Sequence, residues 1–335
     1  MPITISILYE VLEIYLENKT IFITGGTGSF GQKATEIILK QNPKKLIIYS
    51  RDELKQFEMS KKFPDLVYMN LRYFVGDIRD YDRLRKAMRG VDYVIHAAAL
   101  KQVPSCEYNP YEAVKTNIIG TQNVIDACVE NNVERAIFLS TDKSVEAVNL
   151  YGATKAVAER LWINASISNK TIFAAVRYGN VMGSRGSVIP YFIGKRNSRE
   201  DIPITHPEMT RFWITLDDAV SFVLNKIKIA TKGCIYIPKL SCMNIVDLAK
   251  AIAPYNDITY TGIRPGEKLH EKLISSNERN VVELEDQYII YPTHNVYTND
   301  EVNALRVEGE GGFNYSSDSG DRMTKEQLKQ KMEDL

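Results

Sequence analysis

The stretch "LSTDKSVEAVNLYGATKA", Leu139 to Ala156, places Thr141, Asp142 and Lys143 at the end of an apolar run and Tyr151-x-x-x-Lys155 shortly beyond. One short segment thus carries an acid, a phenol and two amines. A Tyr-x-x-x-Lys spacing sets both side chains on one face of a helix, where the ammonium of Lys155 is expected to lower the pKa of the Tyr151 phenol and make it a usable base. Tyrosine and lysine four apart also occur by chance, and the bland reading of Asp142 and Lys143 is a helix cap or an adjacent ion pair. The elements that hold the segment decide between these readings.

From Thr20 the chain alternates short β-branched or apolar runs with helical stretches. The runs "TIFIT", "KLIIYS", "LRYFVG", "VDYVIHA", "RAIFLST" and "TIFAAVRYG" are separated by stretches such as Phe30–Lys40, Tyr81–Arg89, Tyr111–Asn131 and Tyr151–Ala165. Strands that are apolar nearly throughout and joined through helices predict a parallel sheet covered on both faces. The fold class is therefore α/β, a Rossmann-type doubly wound parallel sheet, with ligands at the carboxyl ends of the strands. After Asn180 the rhythm breaks into Gly- and Pro-containing loops, which predicts a smaller C-terminal substrate-binding lobe. The expected division is an N-terminal extension (1–18), a nucleotide-binding domain (19–180, with 212–237 returning to it) and the lobe (181–211 and 238–335).

The first turn, "TGGTGSFG", offers G-x-x-G-x-x-G through Gly25, Gly28 and Gly31 and G-x-G-x-x-G through Gly26. Glycines let the backbone approach a pyrophosphate at the N-terminus of the next helix, where free amides and the helix dipole favour anions. Because the turn follows a strand and opens a helix, Gly25, Thr27, Gly28, Ser29, Phe30 and Gly31 are candidate cofactor contacts. The end of the second strand chooses between nicotinamide cofactors. In "IIYSRDE", Ser50 and Arg51 precede Asp52 and Glu53, which points to NADP, with Lys55 a second positive group; the alternative is that Arg51 merely begins a helix of exposed charges. Asp77 and Ile78 in "GDIRD" are placed by the adenine, and Ala97, Ala98 and Ala99 along the cofactor. His96 reads as a packed strand residue.

Composition narrows the function. Forty-two basic and forty-two acidic side chains cancel, and no basic block stands out, so the footprint of a nucleic-acid binder is missing and small-molecule chemistry is expected. Cys106, Cys128, Cys234 and Cys242 form no C-x-x-C pair, and the four histidines no H-E-x-x-H motif. That argues against a disulfide framework and a metal site and fits reduced thiols in the cytoplasm. The N-terminal segment has Glu10, Glu13 and Glu17 interrupting any membrane-length apolar span and lacks a basic signal-peptide start. Ile7, Leu8, Val11, Leu12, Ile14 and Tyr15 instead suggest a helix or arm packed on this subunit or a neighbour.

With the Tyr-Lys pair after the fifth strand of such a sheet, the chain from about Lys19 onward resembles the extended short-chain dehydrogenase/reductase superfamily. The motifs "TGGTGSFG", "YSRDELKQ", "AALKQVP", "STDK", "LYGATK", "RYGNVMGSRGSVIP", "MTRFWITLDD" and "RPGEKLHE" in order make it similar to the inverting UDP-N-acetylglucosamine 4,6-dehydratases. That resemblance implies NADP as cofactor, UDP-N-acetylglucosamine as substrate, a homo-oligomer, and a place at the opening of pseudaminic-acid or related surface-sugar biosynthesis. It also implies that Tyr151, oriented with Lys155, takes the 4-hydroxyl proton, that Lys143 removes the carbon-5 proton, that Asp142 protonates the departing 6-hydroxyl, and that Thr141 holds the 4-oxygen. Such a base has to be neutral part of the time, which burial or Lys155 is expected to arrange.

The same resemblance sets Lys101, Asn180, Arg185, Thr205, Met209, Arg211, Arg264 and Glu267 against the substrate, arginine being suited to the diphosphate. Gln102 departs from the histidine of the related pattern "LKHVP". A UDP-hexose 4-epimerase shares the fold and the tyrosine, and Lys143 separates the two, since epimerisation needs no carbon-5 base. A non-catalytic NADP-binding regulator would be expected to lose the Tyr-Lys pair.

Overall fold

The computed structural model describes residues 16–196, 198, 200–293, 306–307 and 312–332. The proposed N-terminal helix or arm lies almost wholly outside the described residues.

Six parallel strands form the frame: β1 (Thr20–Thr24), β2 (Lys45–Ser50), β3 (Leu71–Val75), β4 (Tyr93–His96), β5 (Arg135–Leu139) and β6 (Ile172–Val176). In space they run β3-β2-β1-β4-β5-β6, followed by Ile235–Pro238 (parallel to β6) and the antiparallel strands Gln287–Ile290 and Val281–Glu283. All five residues of β1 and the last five of β2 are buried, as expected where helices cover both faces. Strand order reverses between β1 and β4, and a cleft opens there at the carboxyl ends.

Local chemistry starts the helices where the sequence changes period. Asp52 caps Glu53–Lys62 by accepting from Lys55 N, and Asp80 and Thr215 cap Tyr81–Ala87 and Leu216–Ile229 in the same way. The stretch expected as one helix from Tyr111 to Asn131 is divided, because Lys115–Ile119 forms a π-helical turn between Pro110–Val114 and Gly120–Glu130. Residue periodicity does not report that insertion, which lies beside the cleft, a frequent place for π turns.

Beyond Asn180 a smaller apolar cluster that includes Met182, Ile189, Phe192, Trp213, Leu248 and Ile252 backs a three-stranded sheet of Ser241–Asn244, Thr210–Ile214 and Asn180–Val181. Two strands within the stretch assigned to the lobe, Val281–Glu283 and Gln287–Ile290, extend the main sheet instead. Their apolar faces are buried in the main core, a long-range pairing that no local pattern specifies.

Candidate active site

The glycine turn is shaped by contact as well as by φ. Gly25 sits at φ +66°, and a Cβ there would lie 2.8 Å from the Ala98 backbone, so the turn is pressed against the end of β4. Gly31 packs behind it on Gly26. Helix Ser29–Leu39 begins at Gly28 with no side-chain cap, which leaves its first amides facing the cleft for an anion.

A cavity of about 630 Å³ runs from this turn to the Tyr-Lys helix. Gly25, Thr27, Gly28, Ser29, Phe30, Ser50, Arg51, Lys55, Asp77, Ile78, Ala97, Ala98 and Ala99 line one part, and Thr141, Lys143, Tyr151 and Lys155 another. Lys101, Asn180 and Arg185 complete the wall, with Gln102 lying against Gly186 of the "GSRGS" loop. These residues fit an extended dinucleotide: an amide-rich turn for a diphosphate, cationic groups by β2, and small residues beside the chemical centre. At the cationic end Asp52 is spent on its cap, Ser50 Oγ accepts from Gln56, and Arg51 is half exposed, its nearest carboxylate Asp77 at 3.8 Å.

His96 is a core residue, with Nδ1 2.6 Å from Thr24 Oγ1, Nε2 3.0 Å from Thr121 Oγ1, and its ring stacked on Trp162. Among the described residues no cluster of His, Cys, Asp and Glu could hold a metal ion, and no helix is long and apolar enough to cross a membrane.

The chemical centre is built by pressing the Leu150–Ser168 helix onto the Thr141–Ser144 turn. Asn149 caps the helix by accepting from Gly152 N, and Gly152 packs against Lys143 O so closely that any Cβ would collide with it. Thr141 Oγ1 donates to Asp142 Oδ1 (2.9 Å), and Ser144 Oγ donates to Thr141 O. Asp142 is fully buried; its Oδ1 also accepts from Lys143 Nζ at 3.0 Å, while Oδ2 has no hydrogen-bond partner. Lys143 Nζ further faces Asn180 Oδ1 (3.4 Å) and Glu271 Oε1 (3.5 Å).

Two electrostatic expectations are corrected by this geometry. Lys155 donates to Leu139 O at 2.6 Å, lies 3.6 Å from the centre of the Phe138 ring, and is lowered to about 7 by burial. Burial pushes Tyr151 up to about 12, and the opposing pull comes from the charge of Lys143 and a hydrogen bond with Thr141 rather than from Lys155. Lys143 is likewise not a free amine. Burial works against its charge, but Asp142 and Glu271 outweigh that and hold the ammonium above its ordinary range. The i,i+4 spacing places Lys155 beside Tyr151 without saying where its amine points, and that direction is set by the end of β5.

The substrate set is divided. Thr205, Met209, Arg211, Arg264 and Glu267 lie outside the cavity wall. Met209 is buried in the lobe core, and Thr205 Oγ1 contacts its sulfur. Arg211 is buried and donates to the carbonyls of Thr210, Leu269 and Lys268, which fixes the "RPGEKLHE" segment in place. Arg264 is exposed and paired with Glu267 at 3.1 Å. Three contributors escaped sequence reasoning: Glu271, Lys268, which donates to Val145 O, and Asn117, which binds both Leu100 and Thr154 from the π turn. Glu271 and Lys268 sit inside the "RPGEKLHE" motif, and nothing in its spacing marks them.

The family described as "Polysaccharide biosynthesis protein" matches residues 21–292. The chain belongs to this family. Among its relatives, the "UDP-N-acetylglucosamine 4,6-dehydratase (inverting)" of Campylobacter jejuni subsp. jejuni serotype O:2 is 51% identical over 315 residues, covering 90% of this chain and 93% of that protein. A "UDP-glucose 4-epimerase" of Rickettsia bellii is 44% identical, covering 78% and 79%. The X-ray structure of Pen from Bacillus thuringiensis superposes with a TM-score of 0.86 at 38% identity, covering 96% of this chain and 98% of that one. The fold of that structure is thus shared over nearly the whole length of this chain.

Proposed function

We propose that this protein is an inverting UDP-N-acetylglucosamine 4,6-dehydratase, a hydro-lyase, and that its cofactor is NADP. The observation that carries the reading is Lys143, which lines one end of the dinucleotide-shaped cavity with Tyr151 and is paired behind the wall with the fully buried Asp142 at 3.0 Å. The 51% identical relative of that name supports it.

A bound nicotinamide would supply a hydride acceptor for carbon 4 and return the same hydride to carbon 6. The protein's own groups manage the protons. The phenolate form of Tyr151, favoured by the Lys143 charge and the Thr141 hydrogen bond against the effect of burial, takes the 4-hydroxyl proton, and the resulting ketone acidifies the carbon-5 hydrogen. Elimination then needs a base and an acid at once. Passing one proton from Lys143 Nζ to Asp142 along their 3.0 Å hydrogen bond turns the ion pair into an amine and a carboxylic acid without changing the net charge. Burial works against the charge on Lys143, but Asp142 and Glu271 keep it protonated at rest, so the free amine exists only during turnover. The amine then removes the carbon-5 proton, the acid protonates the departing 6-hydroxyl, water leaves, and the ion pair is restored. Carbon 5 then takes a proton from solvent on the opposite face, which inverts that centre, and Tyr151 returns its proton to solvent, leaving a net loss of one water. Asn180, 3.4 Å from Lys143 Nζ, helps orient that amine, and Lys101 and Arg185 supply positive charge for the substrate diphosphate.

The test is incubation with UDP-N-acetylglucosamine in deuterated water and proton NMR of the product. A 4-keto-6-deoxy sugar nucleotide carrying deuterium at carbon 5 is expected. A 4-epimer with its carbon-5 hydrogen intact would instead establish the epimerase reading that the Rickettsia relative's name suggests. Arg51→Ala is expected to weaken NADP by roughly ten- to a hundredfold, the worth of one or two charged hydrogen bonds, and to leave NAD nearly unchanged. Titration of both nucleotides by fluorescence or calorimetry measures this, and equal losses would remove the phosphate role from Arg51.

A further inference from the structure

Glu271 is 3% exposed and belongs to the C-terminal lobe, yet its carboxylate reaches into the chemical centre. Its backbone is anchored on both sides: Glu271 N donates to Ser317 Oγ (3.0 Å), and Ser317 N donates to Glu271 O (2.8 Å). Ser317 Oγ in turn lies 2.7 Å from Thr210 Oγ1. Among the described residues the carboxylate faces two ammoniums, with Oε1 3.5 Å from Lys143 Nζ and Oε2 3.5 Å from Lys268 Nζ, and Oε2 has no hydrogen-bond partner. A carboxylate whose task was to secure the fold would be expected to have its acceptor sites filled, because a buried unmatched charge is costly.

We propose that Glu271 is a positioning residue for the elimination step, fixing Lys143 Nζ between itself and Asp142 and strengthening that amine as a base for the carbon-5 proton. The inference rests on the dehydratase reading. An ammonium has three N–H donors, and three acceptors surround Lys143: Asp142 Oδ1, Asn180 Oδ1 and Glu271 Oε1. Rotation of the amine is thereby restricted, while Asp142 Oδ2 carries no hydrogen bond among the described residues. The negative charge of Glu271 also favours the protonated lysine that proton capture produces. Other charges bear on the same amine: Arg211 opposes its protonation, and Tyr151 and Lys101 feel its charge in return.

Glu271→Gln keeps the shape and removes the charge. Lys143 then loses one of the two carboxylates that hold its pKa up, so the alkaline limb of the dehydration rate moves to lower pH by about one to three units. Elimination slows by roughly three- to thirtyfold, while the first oxidation at carbon 4 and the KM are retained. The measurements are pH profiles of dehydration, single-turnover oxidation at carbon 4, and solvent deuterium uptake at carbon 5 in wild type and variant. Glu271→Asp, which keeps the charge but withdraws it by one methylene, gives an intermediate shift and covers a failure of the glutamine variant to fold. A wild-type alkaline limb in the folded variants overturns the proposal. So does an equal loss of the oxidation step, which would make Glu271 a packing residue. If the wild-type protein forms no deuterated keto sugar, the dehydratase reading itself fails, whatever the variants do.

Discussion

Lys143→Ala is expected to oxidise carbon 4 of UDP-N-acetylglucosamine and then stop, with reduced nicotinamide accumulating and dehydration slowed by about two to four orders of magnitude. The size follows from removing a positioned acid-base group, and the point of arrest follows from the geometry. Lys143 touches Asp142, Asn180 and Glu271, whereas the phenol of Tyr151 acts one step earlier. Tyr151→Phe is accordingly expected to suppress the oxidation itself and to show no reduced nicotinamide. Stopped-flow absorbance of reduced nicotinamide, read beside product NMR, separates the two variants. Dehydration by Lys143→Ala at near the wild-type rate would return the Asp142–Lys143 pair to a structural role. Because the ammonium is also a charge that pulls the Tyr151 phenol down, the alanine variant should need a higher pH for the oxidation step than wild type does.

Arg177→Met is expected to cost about 3–5 kcal/mol of stability, the penalty for leaving a buried charge without its partner. Arg177 follows β6 and is almost wholly buried. It pairs with Glu159 at 2.6 Å and Glu278 at 2.9 Å and donates to Leu273 O at 2.8 Å. One guanidinium therefore joins the Tyr-Lys helix to the segment of the lobe that follows Glu271. Burial alone would raise the Glu159 carboxyl, but Arg177 outweighs it and holds the group below its ordinary range. In wild type that depressed pKa contributes stability above the unfolded glutamate range, and the contribution is lost as the pH falls through the folded value. Without Arg177 the buried carboxyl is raised and takes a proton on acidification, so the deficit of the variant should narrow as the pH drops. Urea denaturation at a series of pH values measures this. A deficit below about 1 kcal/mol would mean that the cluster is replaceable by an apolar contact.

By itself the sequence determined the frame and much of the cleft. Apolar runs such as "TIFIT" and "KLIIYS" can be buried on both faces only in a covered parallel sheet, and the turn "TGGTGSFG" at the first strand's end opens the amide-rich helix start. Motif order likewise brought Thr141, Asp142, Lys143, Tyr151 and Lys155 to one place, since a turn after β5 and the first turn of the next helix have little freedom to separate. These are short-range consequences of period, chirality and capping. What only the tertiary structure decided is where the charges point and who answers them. Lys155 turns to the Leu139 carbonyl, Arg211 spends its donors on the Leu269 and Lys268 carbonyls, and Glu271 crosses from the lobe to Lys143. Each depends on a partner distant in the chain or on the direction of a long side chain. Spacing along one segment carries no record of either, because the energy of a buried charge is set by whatever neighbours the folded chain finally places around it.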